Sequence, residues 1–151
     1  MISEPKVAPC ALKEAVRQVK AISREYANGD LQSDVRFYQT HRPRLLKNAE
    51  IKEDAAGGRI TYNAERVATM TEDDQRALHR YITSRKSIVF LRQAVMEIED
   101  ANLRETAIDM ILDGYSCARL TFKYGISERA LYKRKRKIVE FIASRMCNLF
   151  E

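Results

Sequence analysis

The sequence predicts an all-α protein, and three observations carry that reading. Glycine and proline are scarce, five and three in 151 residues, so stretches rich in Ala, Leu, Glu, Lys, Arg and Gln run on without a breaker. Apolar residues recur in several windows at the i, i+3, i+4, i+7 spacing of an amphipathic helix. Residues that cap or stop helices stand at the ends of those windows, and no segment earns assignment as a strand. Hydrophobic residues make up 45% of the chain, enough for a core and too many for wholesale disorder.

The elements follow in order. In "ALKEAVRQVKAISREYANGD", Leu12, Val16, Val19, Ile22 and Tyr26 share one face, and Asn28-Gly29 supplies a stop that tolerates left-handed backbone. Ser33 is the candidate cap of a short helix carrying Val35, Phe37 and Tyr38. Pro43 interrupts it or opens the next, "PRLLKNAEIKEDA", since proline suits a first helical turn and harms an interior; Gly57-Gly58 ends that segment. "GGRITYNAERVATM" has no clear period and reads as a linker. Thr71 resembles an N-cap, with Asp74 in a partial capping-box position, and Glu72, Asp73 and Asp74 suit the positive end of a helix dipole. The long helix that follows, towards Glu99, carries Leu78, Tyr81, Ile82, Ile88, Leu91, Val95 and Ile98 near one face, a stripe that reads as core. Three elements close the chain. "NLRETAIDMILDG" aligns Leu103, Ala107, Ile108 and Ile111 and stops at Gly114. "SCARLTFKYG" is a short helix capped by Ser116. Ser127 caps the last and longest helix, which runs towards Met146. The organisation expected is an N-terminal helical region over 1–58, a linker over 59–70, and a long helix with the three closing elements over 71–151.

Charge is unevenly spread. The chain carries +6 in all, yet residues 117–147 hold nine Lys/Arg against two Asp/Glu, so that segment carries +7 and the remainder −1. A cationic end on a neutral body points to a polyanionic partner, nucleic acid before anionic membrane. Cys10, Cys117 and Cys147 are odd in number and far apart, which indicates neither zinc nor a disulfide framework and fits reduced thiols in a cytoplasm. The first residues lack the apolar core of a signal peptide, and no apolar run approaches the roughly 18 residues that span a bilayer. A cytoplasmic protein without membrane association is expected.

Three helices joined by tight turns, with a basic third helix, fit a helix-turn-helix domain. Gly125 stands at the sharp turn, Ile126 is expected buried between the helices, and Ser127 caps the third helix. Leu120 and Leu131 fill the core, and Thr121 occupies a position where alanine is common. Successive helical residues rotate by about 100°. With Leu131 inward, Ile138 and Ile142 return to the same face, while Arg129, Lys133 and Arg136 lie opposite with Tyr132 and Lys137 on the flanks. Arg129, Tyr132, Lys133 and Arg136 are therefore the candidate base-reading side chains, since Arg can pair bidentately with guanine. Ser116, Arg119, Lys123, Ser127 and Lys137 are the candidate phosphate contacts. Arg134 and Lys135 fall on the inward half of the wheel and must snorkel or pair with acids, because an unpaired buried charge is costly. One solution is that the helix outgrows its three-helix body, so that Ile138, Phe141 and Ile142 pack on the N-terminal part or on a second subunit.

The stretch "IDMILDGYSCARLTFKYGISERALYKRKRKIVEFIA" resembles the C-terminal half of the ArpU/RinA-like regulators of phage late transcription, which in turn resemble region 4 of sigma factors. "MEIEDANLRETAIDMILDGY" fits the segment just upstream. The resemblance covers about residues 94–146 and leaves the first 60 or so unmatched; Thr121 and the dense basic run are its departures. It implies a phage- or prophage-encoded activator acting through RNA polymerase.

Catalytic chemistry finds little support. His41 and His79 sit in no HExxH-like arrangement, and Gly57-Gly58 belongs to no GxxxxGK[ST] phosphate loop. The carboxylates at 72–74 and 97–100 could hold Mg²⁺ as in a nuclease, but they read more simply as helix-start acids and a solvated face. No catalytic residue, metal or cofactor is expected. The fold expected is all-α, a C-terminal three-helix helix-turn-helix domain with an N-terminal helical accessory region. The function expected is sequence-specific binding of double-stranded DNA to regulate transcription, as a homodimer whose paired half-sites supply specificity. The rivals are a phage small terminase subunit that recognises packaging sites, and a non-DNA helical adaptor whose basic helix meets an acidic protein.

Overall fold

The structure, a computed structural model, describes residues 9–53 and 59–149 and is predominantly helical. The chain divides into two compact units, one of residues 29–90 and one that joins 9–28 to 91–149.

The 29–90 unit opens at Gly29, whose φ of +81° is left-handed backbone that glycine adopts without strain. Helix α2 (Asp30–His41) therefore starts earlier than expected. Ser33 lies inside it, its N–H donating to the Gly29 carbonyl, and is not its cap. Pro43 takes the first position of α3 (Pro43–Asn48), where its missing N–H costs no helical hydrogen bond. The segment "PRLLKNAEIKEDA" is not one helix: α3 ends at Asn48 and Glu50 turns the chain at φ +53°. Strand β1 (Lys52–Glu53) then pairs antiparallel with β2 (Ile60–Thr61), Lys52 opposite Thr61 and Glu53 opposite Ile60. Gly57-Gly58 lies outside the described residues. The expected linker 59–70 holds β2 and helix α4 (Ala64–Ala68), capped by the Asn63 side chain accepting from the Arg66 N–H. Two-residue strands are too short to show alternation, which is why no strand was legible there. The unit takes residues 72–90 of α5 (Glu72–Met96), and Thr71 caps that helix as expected, its Oγ accepting from the Asp74 N–H at 3.2 Å. Leu31, Val35, Tyr38, Leu78, Tyr81 and Ile82 are buried, with the Tyr38 and Tyr81 rings edge to face.

The second unit holds α1 (Pro9–Ala27), residues 91–96 of α5, α6 (Ala101–Ala107), α7 (Cys117–Tyr124) and α8 (Glu128–Leu149). Asp100 caps α6, its Oδ1 accepting from the N–H groups of Asn102 and Leu103. Helix α6 runs on into a π turn, Ile108–Leu112, closed by the Asp113 N–H on the Ile108 carbonyl. Helix α1 packs chiefly along α8. The start of α1 meets the end of α8, where the Cys147 Sγ lies 3.8 Å from the Ala11 carbonyl. At the other end of α1, Ala27 abuts Gly114, whose φ is +69° and whose Cβ, were there one, would stand 3.5 Å from the Ala27 oxygen. Val19, Leu91, Val95, Leu120, Ile138 and Ile142 are fully buried, each burial stabilising by about 1.5–3 kcal/mol. Within the chain, α1 is the N-terminal element that α8 packs on. The second unit thus joins segments from the two ends of the chain, and a contact between residues more than a hundred positions apart leaves no local trace in sequence.

Candidate nucleic-acid interface

Helix α7 starts where the Ser116 Oγ accepts from the Arg119 N–H at 3.2 Å. It stops at Gly125, in the left-handed region at φ +61°, where the N–H groups of Gly125 and Ile126 both reach the Thr121 carbonyl. Space around Gly125 is open, so its left-handed backbone rather than crowding is what calls for glycine. Ile126 is half-buried, less enclosed than expected. Ser127 then caps α8, its Oγ accepting from the Ala130 N–H at 3.1 Å.

Helix α8 has two sides. Leu131, Ile138 and Ile142 are buried, whereas Arg129, Tyr132, Lys133, Arg136 and Lys137 are exposed, Tyr132 by 69%. The rotation of about 100° per residue therefore places the five candidate side chains on the solvent side. Arg136 pairs with Glu140 one turn on at 3.2 Å, an exposed i,i+4 bridge worth about 0.3–0.5 kcal/mol and easily exchanged for another anion. None of the ion pairs among the described residues engages Arg129, Lys133 or Lys137.

The remaining cations of this region are arranged otherwise. Asp109, within the π turn, is only 5% exposed and accepts from Lys123 Nζ at 2.7 Å and from the Tyr124 hydroxyl. Glu105 stands 3.8 Å from the same ammonium. Burial pushes the Asp109 carboxyl up, but the hydrogen bonds from Lys123 and Tyr124 and the charges of Lys123 and Arg119 outweigh it, so it ionises below the usual carboxylate range. The Lys123 ammonium is held above its ordinary value by its hydrogen bond to Asp109. Burial, then the bond to Asp109, raises the Tyr124 hydroxyl. Arg134 donates to Thr106 Oγ1 at 3.2 Å and stacks over the Tyr124 ring at 5.3 Å, and Thr106 is itself fully buried. It thus meets a hydroxyl and an aromatic face in place of an acid, and Arg134 and Lys135 are both half-buried. Arg119 lies 3.8 Å over the Tyr115 ring at the start of α7 and stays exposed.

The candidate residues therefore fall into groups. Arg129, Tyr132, Lys133, Arg136 and Lys137 share the open side of α8. Ser116 and Ser127 serve as helix caps, and Arg119 is poised beside Ser116. Lys123 is tied down by Asp109 and acts first as a strut between α7 and the π turn. Sequence reasoning missed Asp109, a single carboxylate within the apolar run IDMIL; on a wheel drawn from the buried Thr106 it falls about 60° away, on the same side. It also passed over Phe122, 91% exposed on α7; a wheel drawn from Leu120 would have found it, since Phe122 falls about 200° away.

In the other unit, a cleft of about 540 Å³ is lined by His41, Arg42, Pro43, Leu45, Met70 and Asp74 among others, with Arg42 and Asp74 paired to each other. Among the described residues no group of three His, Cys, Asp or Glu side chains is placed to hold a metal ion, and no helix is long and apolar enough to cross a membrane. The chain matches no family model, no curated protein and no solved structure.

Proposed function

We propose that α6, α7 and α8 act as a helix-turn-helix unit and that the protein binds double-stranded DNA in a sequence-specific way to regulate transcription. The observation that carries this reading is the two-sidedness of α8: Leu131, Ile138 and Ile142 anchor its back, while Arg129, Lys133 and Lys137 face solvent outside every ion pair among the described residues. A helix of about 10–12 Å diameter fits a major groove about 12 Å wide. In that pose Arg129 and Arg136 reach guanine edges, Lys133 and Tyr132 reach bases or sugars, and Lys137 with Arg119 meets phosphates. The resemblance to phage late-transcription regulators makes activation through RNA polymerase the regulatory reading, with a homodimer supplying paired half-sites.

Duplex titration at several salt concentrations tests it. A binder neutralising several phosphates loses affinity with a log–log slope of about −0.9 per phosphate and prefers its operator over random sequence. An absence of duplex binding at low salt, with capture of an acidic protein instead, would leave the adaptor reading standing. Native mass separates regulation from packaging: a ring of about eight or more chains would favour the terminase reading over a dimeric regulator.

A further inference from the structure

Helix α1 carries a second cationic surface. Lys13, Arg17, Lys20 and Arg24 recur at i, i+4, i+7 and i+11, and all four are exposed. With Val19 inward, Lys20, Lys13, Arg24 and Arg17 fall about 100°, 120°, 140° and 160° round the helix, a single stripe. The acids of the same helix, Glu14 and Glu25, fall about 120–140° in the opposite sense. A helix whose charges serve only solvation interleaves the two signs along one face, where i,i+4 pairs form; α1 segregates them. The one ion pair among the described residues that touches the stripe is Arg17–Glu14 at 3.1 Å, with the Arg17 side chain 80% exposed, a pair of the kind salt screens away.

The position of α1 says what the stripe serves. The helix lies along α8 in one compact unit, and its last turn abuts Gly114, two residues before the Ser116 cap of α7. Arg24 ends the stripe about one turn before Ala27, the residue that abuts Gly114. We propose that α1 is a second contact to the duplex phosphate backbone, extending the footprint of α7 and α8 by several phosphates without reading bases. The proposal rests on the duplex-binding reading above. It gives the N-terminal helix a job: positioning and affinity, while α8 supplies sequence preference.

The test uses the full chain and a mixed-sequence duplex of about 30 base pairs, with affinity measured from low to high salt. Replacing Lys13, Arg17, Lys20 and Arg24 by Gln is expected to lower the magnitude of the log–log slope by about 2 to 4 and to weaken binding at about 0.15 M salt by about tenfold or more, with the ratio of operator to random affinity unchanged. The charge-keeping pair Lys13→Arg and Lys20→Arg should retain the parental slope. If the fourfold variant melts early, Lys13→Gln with Lys20→Gln gives the same readout at about half the size. A parent that binds duplex while these variants keep its slope and affinity overturns the proposal and leaves the DNA reading intact. A parent that holds no duplex even at about 20 mM salt overturns both.

Discussion

Lys133 and Arg134 are neighbours in the chain and opposites in circumstance. Lys133 stands in solvent on the outer side of α8, along with Arg129 and Lys137. Arg134, one residue on, turns inward to Thr106 and the Tyr124 ring, beside the Asp109 carboxylate that holds Lys123 and Tyr124. The outer set is free charge, available to any anion that arrives. The inner set is structural charge, already committed to fixing α8 and α7 against α6 and its π turn. Counting lysines and arginines therefore overstates what a ligand can meet. The useful number is the cations left over once the protein's own acids and aromatic faces have taken theirs. The inner set still serves the outer one, because the outer face keeps one direction only if its helix is held at one angle.

That contrast can be broken from the inside first. Asp109→Ala leaves Lys123 and the Tyr124 hydroxyl without their shared acceptor and should cost about 1–3 kcal/mol of stability by thermal or urea unfolding, the half-open setting of Lys123 keeping the loss below that of a fully buried pair. A pH series sharpens the point. Because the folded carboxyl ionises below its unfolded value of about 3.9, its contribution is complete above that value and is lost as pH falls through the lower, folded one. Asp109→Asn should flatten that acid limb. An unchanged limb would mean that Asp109 is not the group holding this corner.

From the outside, Arg129→Ala should leave the melting temperature alone, cost about 1–3 kcal/mol of operator binding, and relax preference at one base position. Equal losses on operator and random duplex would reject a base-reading role. Arg134→Ala should do the reverse: about 1 kcal/mol of stability lost with its bond to Thr106, and the salt slope of duplex binding kept. A steep fall in slope without destabilisation would move Arg134 to the outer set. The smallest effect is expected for Lys137→Ala, a uniform weakening on all sequences with the slope reduced by about 0.9.

Much of this contrast was legible before any coordinates. Gly125, Ser116 and Ser127 mark their helix ends through local backbone chemistry, and local chemistry is written in neighbouring residues. The outer face of α8 followed from one buried anchor, Leu131, and a constant rotation. The rest depended on distance or on irregularity. That α1 is the partner of Ile138 and Ile142 is a contact between opposite ends of the chain. The stripe of Leu103, Ala107, Ile108 and Ile111 sets Asp109 on the far side of its helix, whereas the buried Thr106 stands only about 60° from it. Arg134, expected to snorkel or to pair with an acid, is half-buried and meets a hydroxyl and a ring, a choice set by which side chains α6 and α7 happen to present. The hairpin at Lys52–Thr61 left no alternation to read.

Lysine acetylation mapped by mass spectrometry, with and without saturating duplex, separates the two sets in one experiment. The account predicts that Lys133 and Lys137 react quickly in the free protein and are shielded by duplex, while Lys123, held as an ammonium against Asp109, reacts slowly in both states. Bound duplex that leaves Lys133 and Lys137 as reactive as before, or that shields Lys123 in their place, would contradict it.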